Sequence, residues 1–494
     1  MNKNKLLLKK YFEDNLLVEA DINSYNEFII KGIQEIVQET SEIIPTIIPE
    51  NVTEFKIRLD KVSVTKPEIV EADGSRRDIY PNEARLRKIT YSAPIYMDVS
   101  VHIDGVQRET FNALIGKIPV MLKSKFCHLD GLKKDGLIEK GEDPNDPGGY
   151  FILNGNERVL INVEDLASNK VLVEESKTGS SKYVAKLFSE KGSVRIPHVL
   201  EQMKDGILYL SFTSFSRVPV ISLIKALGLV KDKEIMRFVS DEKEYGDVFV
   251  SLYNSIDLKT EEDALEFVAR KIGINQPREV KLEKVQERLD RYLLPHIGIR
   301  KEDRIYKAYT LCKLIKRLLM VSKDGIKIDD KDHYANKRVK LSGDLLVDLF
   351  RINLRVLIND MLYNFQRLVK RGKFQSTRII IREKLLTSRI KSAMATGSWP
   401  GNRKGISQNI DRTNFLATLS HLQRVVSLLS STQENFDARA LHGTHWGRLC
   451  AIETPEGTPI GLRKNMALLC KISHEDSNDE KIKKILENIG LKVV

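Results

Sequence analysis

Residues 405–425 read GISQNIDRTNFLATLSHLQRV, and residues 438–468 read ARALHGTHWGRLCAIETPEGTPIGLRKNMAL. Both stretches place basic side chains among glycine, hydroxyl and amide residues. Guanidinium groups bind phosphate through paired hydrogen bonds, and hydroxyl, amide and backbone N–H groups add neutral ones. The composition therefore favours contact with a nucleic-acid backbone, with a solvated basic loop as the alternative. Both stretches belong to the segment 397–469, whose basic residues include Arg403, Lys404, Arg412, Arg424, Arg439, Arg448, Arg463 and Lys464.

The composition of the whole chain agrees with this interpretation without deciding it. The 494 residues contain 80 Lys and Arg against 68 Asp and Glu, a net charge of +12, and 41% are hydrophobic. That much apolar material at this length predicts several globular domains and not a disordered chain. The positive charge favours a polyanionic partner, but a soluble basic protein has the same balance.

The cysteines and the N-terminus indicate the expected compartment. Cys127, Cys312, Cys450 and Cys470 form no CxxC pair, so neither a disulfide framework nor a zinc knuckle is expected. The N-terminal MNKNKLLLKKYFEDN does not have the pattern of a signal or transit peptide, and no apolar stretch is long enough to span a membrane. We expect a cytoplasmic protein without a membrane partner.

Hydrophobic periodicity predicts a mixed α/β (α+β) multidomain fold. The alternating run ITYSAPIYMDVSVHIDG ends at Asp104-Gly105, which is a hairpin signal. An apolar stripe predicts a long helix over 344–371, and a second helix over about 382–395 is expected to stop at Gly397. The apolar run RVPVISL (217–223) is interpreted as a strand.

No motif of a self-contained enzyme is present. The chain lacks GxxxxGK[ST], GxSxG, HExxH and GxGxxG patterns. Clustered carboxylates in IDDKDHYANKR (328–338) could hold Mg²⁺, but the interleaved basic residues favour a solvated turn. The run LHGTHWGRLC (441–450) contains possible zinc ligands at a spacing that fits no familiar zinc site. The residues concerned are Asp329, Asp330 and Asp332 in the first segment, and His442, His445 and Cys450 in the second.

The two stretches quoted first resemble the fork region of the second-largest subunit of cellular RNA polymerases, called β in bacteria. Further matches lie upstream in the order of that family, so the resemblance covers nearly the whole chain. They are KIPVMLKSKFCHL (117–129), GYFILNGNERVLI (149–161), VPVISLIKALGL (218–229), DKDHYANKRVKLSG (330–343) and MATGSW (394–399).

This resemblance implies a domain arrangement. The protrusion is expected at 1–165 and again at 303–373, interrupted by a lobe at 166–302. The fork follows at 374–454, and 455–494 resembles the start of the next, external domain, which a partner chain would complete. The arrangement resembles that of archaea in which the subunit is split into two polypeptides, this chain being the N-terminal one.

The resemblance also implies a function. It predicts a subunit of DNA-directed RNA polymerase, a nucleotidyltransferase, which helps to hold template DNA and nascent RNA. Mg²⁺ is expected on the largest subunit, so this chain would contain no catalytic residue or metal ligand and would be inactive alone. Expected partners are the C-terminal remainder of the subunit, the largest-subunit chains, small subunits and general transcription factors. The competing hypothesis is a nucleic-acid-binding scaffold or regulator that never enters a polymerase.

Particular residues are expected to contact nucleic acid. Gln408, Arg424 and Arg439 match family positions that approach RNA phosphates, and Glu456 matches one near the RNA 3' end. Arg and Gln suit contacts that read backbone geometry and ignore sequence. The basic segment adds Lys404 and Arg412 to the predicted nucleic-acid contacts.

A loop and two further side chains of the fork also match family positions. The loop at about 429–438 corresponds to a family loop that faces the downstream edge of the melted DNA, but it carries Glu434 and Asp437. Asp411 and His421 match positions that line the bacterial rifamycin pocket. The surrounding residues differ, so we expect these two side chains to hold the fork together.

Overall fold

The computed structural model describes residues 3–14, 17–49, 52–176, 181–192, 194–240, 245–372, 376–472 and 479–490. The chain forms two compact units, Met1–Glu164 with Val339–Val494, and Asp165–Arg338. Each unit combines helices with antiparallel sheet. The predicted mixed multidomain fold is confirmed.

The first unit contains most of the elements. Its α-helices are Lys3–Asp14, Glu19–Glu27, Ile33–Glu39, Pro81–Leu86, Lys134–Glu139, Ser342–Lys370, Glu383–Thr396, Phe415–Leu422, Phe436–Arg439 and Asp479–Asn488, with a π-helix at Phe28–Gly32 and 3₁₀ turns at Thr377–Ile380 and Gly443–His445. Its strands are Glu42–Ile43, Phe55–Val64, Glu68–Val70, Arg76–Asp78, Ser92–Ile103, Val106–Pro119, Phe151–Leu153, Asn156–Leu160, Ser407–Asn409, Arg424–Ser427 and Arg463–Asn465. The strands Asn162–Leu166 and Lys337–Lys340 lie where the chain passes between units.

The predicted hairpin joins the two longest strands of the first unit. Ser92–Ile103 and Val106–Pro119 pair antiparallel around Asp104 and Gly105, whose φ angles are +51° and +78°. Two successive positive φ angles are the geometry of a type I′ turn, which Asp-Gly adopts readily. The hairpin prediction is confirmed.

The predicted long helix runs over Ser342–Lys370 and forms one wall of the core. Its stripe includes Leu346, Phe350 and Phe365, all buried in one apolar cluster with the sheet and the N-terminal helices. The next helix, Glu383–Thr396, ends at Gly397, which has a φ of +73°. Both helix predictions are confirmed to within two residues, because an apolar stripe and a glycine stop are local signals.

The second unit contains a five-stranded antiparallel meander and a helical layer. The strands follow the sequence order Val171–Glu175, Tyr183–Lys191, Val194–Gln202, Leu208–Phe212 and Phe215–Pro219. The helices are Val220–Ala226, Asp232–Val239, Gly246–Tyr253, Glu261–Ile272, Arg278–Tyr292 and Arg304–Lys323, with 3₁₀ turns at Lys301–Asp303 and Tyr334–Asn336.

The strand interpretation of RVPVISL is wrong in its second half. The strand ends at Pro219, and Val220–Ala226 is a helix with every residue buried. A short apolar run buried on all sides has no amphipathic period, so the sequence cannot distinguish a strand from a helix there.

The second unit extends beyond the expected end of the lobe. The helix Arg304–Lys323 buries Leu311, Ile315 and Leu318 in the apolar core of Asp165–Arg338. The resemblance assigned this helix to the second part of the protrusion. The second compact unit therefore ends at Arg338. The domain boundaries that the family resemblance implies stay predictions. None of the helices in the described ranges is long and apolar enough to cross a membrane.

Candidate nucleic-acid interface

Short strands of the first unit position the basic fork residues. Ser407–Asn409 pairs antiparallel with Asn156–Leu160 and carries Gln408. Arg424–Ser427 lies between Asn162–Leu166, which it pairs in parallel, and Arg463–Asn465, which it pairs antiparallel. Strands from distant parts of the chain thus position Gln408 in a three-stranded sheet and Arg424 in a four-stranded sheet.

A hydrogen-bonded chain holds the Gln408 amide in place. The backbone N–H of Asp411 donates to Nδ1 of His421 at 3.0 Å, so the ring proton lies on Nε2 and donates to Oε1 of Gln408 at 3.2 Å. Gln408 Nε2 then donates to the Gly405 carbonyl at 3.0 Å. Burial, helped by the charge of Arg424, lowers the pKa of His421 to about 4, which keeps the ring neutral. The expectation that Asp411 and His421 hold the fork together agrees with these contacts.

Arg424 is a half-buried cation that has no carboxylate partner among the residues that the structure describes. Within the described part of the chain, no carboxylate oxygen lies within 4.0 Å of its guanidinium nitrogens. Burial and the neighbouring charge of Arg463 lower the pKa of Arg424, although Glu453 and Asp411 act in the opposite sense. An arginine left without a counter-ion can accept an external anion.

Arg412 is already neutralised within the protein. Its Nε donates to Glu157 at 2.7 Å, and its Nη2 donates to Asp146 at 3.0 Å. The guanidinium carbon lies 4.8 Å from the centre of the Tyr150 ring. These contacts give Arg412 a structural role in linking the fork to 146–157, and its predicted contact with nucleic acid stays a prediction.

Arg439 hydrogen-bonds four backbone carbonyls. Its Nη1 donates to Thr458 and Ile460 at 2.7 and 2.8 Å, and its Nη2 donates to Ser431 and Gln433 at 2.9 and 3.3 Å. A single guanidinium therefore holds the loop 431–433 to the turn 458–460. Its predicted contact with RNA phosphate would have to compete with these bonds.

The other predicted contacts are exposed. Lys404 and Glu456 both lie at the surface, and neither has an ion pair within the described ranges. The loop 428–437 is exposed throughout and includes Glu434 and Asp437. The structure thus places Gln408 and Arg424 on strands of two sheets, while Lys404 and Glu456 lie in exposed loops.

The opposite face of the same strand pair is closed by a buried ion pair. Lys464 Nζ lies 2.9 and 3.2 Å from the two carboxylate oxygens of Glu164, and both side chains are almost fully buried. Val425, beside Lys464 in the ladder, is also buried. One face of the strand pair therefore buries an ion pair, and the other face carries the two arginines.

The two metal alternatives find no support in the geometry. Asp329 pairs with Arg317 at 2.8 Å, and Asp332 pairs with Lys337 at 3.1 Å, so these carboxylates are balanced by cations. Among the residues that the structure describes, no three His, Cys, Asp or Glu side chains are grouped as metal ligands.

The chain is similar to known proteins over almost its whole length. A family model described as RNA polymerase beta subunit matches residues 16–388, and one described as RNA polymerase Rpb2, domain 3, matches residues 408–472. The chain is 41% identical to DNA-directed RNA polymerase subunit Rpo2N of Methanocaldococcus jannaschii over 99% of both chains. It is 41% identical to the Rpo2N of Halobacterium salinarum over 98% of this chain and 95% of that one. Subunit Rpo2 of Saccharolobus solfataricus is 42% identical over 98% of this chain, which spans only 43% of that relative.

Proposed function

The chain belongs to the β-subunit (Rpb2) family of RNA polymerases, and on that premise we propose that it is a subunit of a DNA-directed RNA polymerase that helps to hold template DNA and nascent RNA. The observation that carries this proposal is the surface around Gln408 and Arg424. A fixed amide and a cation without a counter-ion are donors that suit phosphate oxygens. Lys404, Arg439, Glu456 and Arg412 are the further proposed contacts, and Arg412 also links the fork to residues 146–157.

The exposed apolar side chains of the fork support assembly with other chains. Leu416 is 75% exposed, Phe436 76%, Trp446 87% and Ile452 88%. Exposed apolar patches mark sites of protein association, and these four side chains are the fork residues that we assign to such a surface. We infer that the remainder of the subunit and the largest-subunit chains cover part of this surface, with small subunits and general transcription factors as further partners.

We assign nucleotidyl transfer to partner chains. We propose, as the family resemblance implies, that the largest subunit of the assembly holds the Mg²⁺ that stabilises the transferred phosphoryl group. This chain binds and orients nucleic acid and does not act alone. The four cysteines are free thiols, which agrees with a reducing cytoplasm as the proposed location.

The deciding experiment is purification of the tagged native chain from its own cells, followed by promoter-independent transcription assays. We expect the isolated chain to be inactive and the co-purified complex to synthesise RNA. RNA synthesis by the isolated chain would contradict the division of labour. A chain that binds nucleic acid and never co-purifies with polymerase subunits would favour the scaffold hypothesis.

A substitution tests the contact itself. Arg424→Ala should make assembled elongation complexes dissociate at lower salt, because it removes one phosphate partner. Arg108→Ala is a matched control, since Arg108 is exposed at the far hairpin of the same unit. Equal salt sensitivity of the two variants would reject Arg424 as a nucleic-acid contact.

A further inference from the structure

We propose that Arg463 and Arg424 together form a two-arginine site for the phosphodiester backbone of nucleic acid. The sequence resemblance singled out Arg424 but not Arg463. The inference rests on the proposed function, and it adds a second binding residue to that surface.

Strand register places the two arginines as diagonal neighbours on one face of the strand pair. Arg424 pairs with Asn465, Val425 with Lys464, and Val426 with Arg463. Arg463 is therefore two residues along from the partner of Arg424 and projects from the same face. Such diagonal neighbours lie about 7–8 Å apart, within reach of long side chains. This spacing lets two guanidinium groups contact one phosphate or two successive phosphates.

The cations on the two faces of this strand pair differ in burial and in ion pairing. On the inner face, the Lys464 ammonium is paired with Glu164 and buried. On the outer face, Arg463 is exposed and Arg424 is half-buried. Neither arginine has an ion pair among the residues that the structure describes. The protein therefore neutralises the inner cation and leaves two outer cations unbalanced.

The nearest acidic groups are engaged elsewhere. The Asp411 carboxylate accepts from the backbone N–H and the hydroxyl of Thr413 at 2.9 and 2.7 Å. Glu453 accepts from the hydroxyl of Ser420. Both carboxylates act electrostatically on Arg424, but neither approaches to ion-pair distance. An external anion would therefore offset the repulsion between the two arginines.

The neutral state of His421 fits this arrangement. Its depressed pKa has burial as the main cause, with Arg424 and Arg463 as further positive neighbours. The ring is committed to Asp411 N–H and Gln408 Oε1, so it adds no third positive charge. The site consists of two permanent cations beside a fixed amide.

Phosphodiester is the ligand class that this chemistry selects. The paired N–H donors of two guanidinium groups match the anionic oxygens of phosphate, and guanidinium stays charged at any working pH. These contacts read the backbone and are indifferent to base sequence. RNA and DNA offer the same group, so an experiment must show which of the two nucleic acids the site binds.

The test uses the complete polymerase assembled with wild-type chain, Arg463→Gln, Arg424→Gln, the double variant or Arg108→Gln. Complexes on a nucleic-acid scaffold carry label on the transcript in one arm and on the template in the other, and retention of each is measured across a salt series. We expect each single variant to weaken retention of one labelled strand roughly tenfold at moderate salt. The logarithmic salt slope should fall by about one per arginine removed, and Arg108→Gln should match wild type.

The possible outcomes separate the inference from the function on which it rests. Loss in the transcript arm assigns the phosphate to RNA, and loss in the template arm assigns it to DNA; either result supports the site. If Arg463→Gln behaves as Arg108→Gln while Arg424→Gln loses retention, the two-arginine site is overturned and the proposed function stands. If the wild-type chain does not assemble into an active polymerase, the proposed function fails and the inference fails with it. Arg463→Lys keeps the charge but lacks the planar guanidinium group. It should therefore recover part of the lost strand retention, which distinguishes phosphate binding from a folding defect.

Discussion

A Cβ atom at Gly461 would lie only 2.4 Å from the carbonyl oxygen of Arg439. Gly461 also has a φ of +71°, a conformation that residues with a side chain rarely adopt. This close approach brings the turn 458–460 within reach of the Arg439 guanidinium. A glycine and an arginine together therefore set the shape of the exposed fork loops.

Gly461→Ala is expected to open this turn. The positive φ alone costs about 1–3 kcal/mol in a residue with a side chain, and the contact with Arg439 adds to it. Hydrogen–deuterium exchange of the full chain should become faster in 431–439 and 457–461. Gly457→Ala is the matched control, since Gly457 has a φ of +78° but open space around its Cα. Equal exchange in the two variants would show that the approach to Arg439 is unimportant.

Arg439→Lys is expected to loosen the same loops as much as Arg439→Ala does. A lysine keeps the charge, but its compact ammonium cannot hold four carbonyls on two segments. Exchange should rise at 431–433 and 458–460 in the free chain for both variants. Wild-type exchange in Arg439→Lys would mean that charge alone holds the loop, and wild-type exchange in both would leave phosphate binding as the role of Arg439.

Lys464→Met is expected to destabilise the chain by about 3–5 kcal/mol, because it leaves the buried Glu164 carboxylate unpaired. The free energy of unfolding from urea titration is the measurement. The double variant Lys464→Met/Glu164→Leu should recover much of the loss, since both charges are then removed. Lys31→Met, at an exposed pair with Glu27, provides a control that should change stability by less than about 1 kcal/mol. A similar small loss for Lys464→Met would show that the inner ion pair is not tightly buried.

Acidification is expected to destabilise the His421 site. The folded-state pKa is about 4 against an ordinary value of 6.5, so below pH 6.5 the unfolded state takes up a proton that the folded state refuses. The associated stability is complete above pH 6.5 and is lost as the pH falls towards 4.

The measurement is the free energy of unfolding at pH 7 and pH 5. Wild type should lose about 2 kcal/mol more than His421→Gln over this interval. His198 in the second unit also has a pKa lowered to about 4, mainly by burial, but it is present in both proteins and its contribution cancels. Identical pH dependence of the two proteins would contradict the neutral, buried state of His421.

Several local features could be predicted because their signals lie within a few residues. The Asp104-Gly105 turn, the stripe of Ser342–Lys370 and the stop at Gly397 each follow from adjacent residues or a helical period. The helix Val220–Ala226 could not be predicted, since its burial on all sides removes the period. The place of Arg304–Lys323 in the second core depends on packing between segments far apart in sequence.

The sequence by itself determined the family, the mixed fold and the basic character of the fork. The sequence could not show which arginines of that fork are neutralised by a carboxylate, because all of them carry the same charge in similar local surroundings. Only the tertiary structure brings Glu157 to Arg412 across 255 residues, and sets Arg463 beside Arg424 through strand register. Electrostatic balance depends on distance in space, so whether a cation is neutralised within the protein or left for an external phosphate is decided by the folded chain.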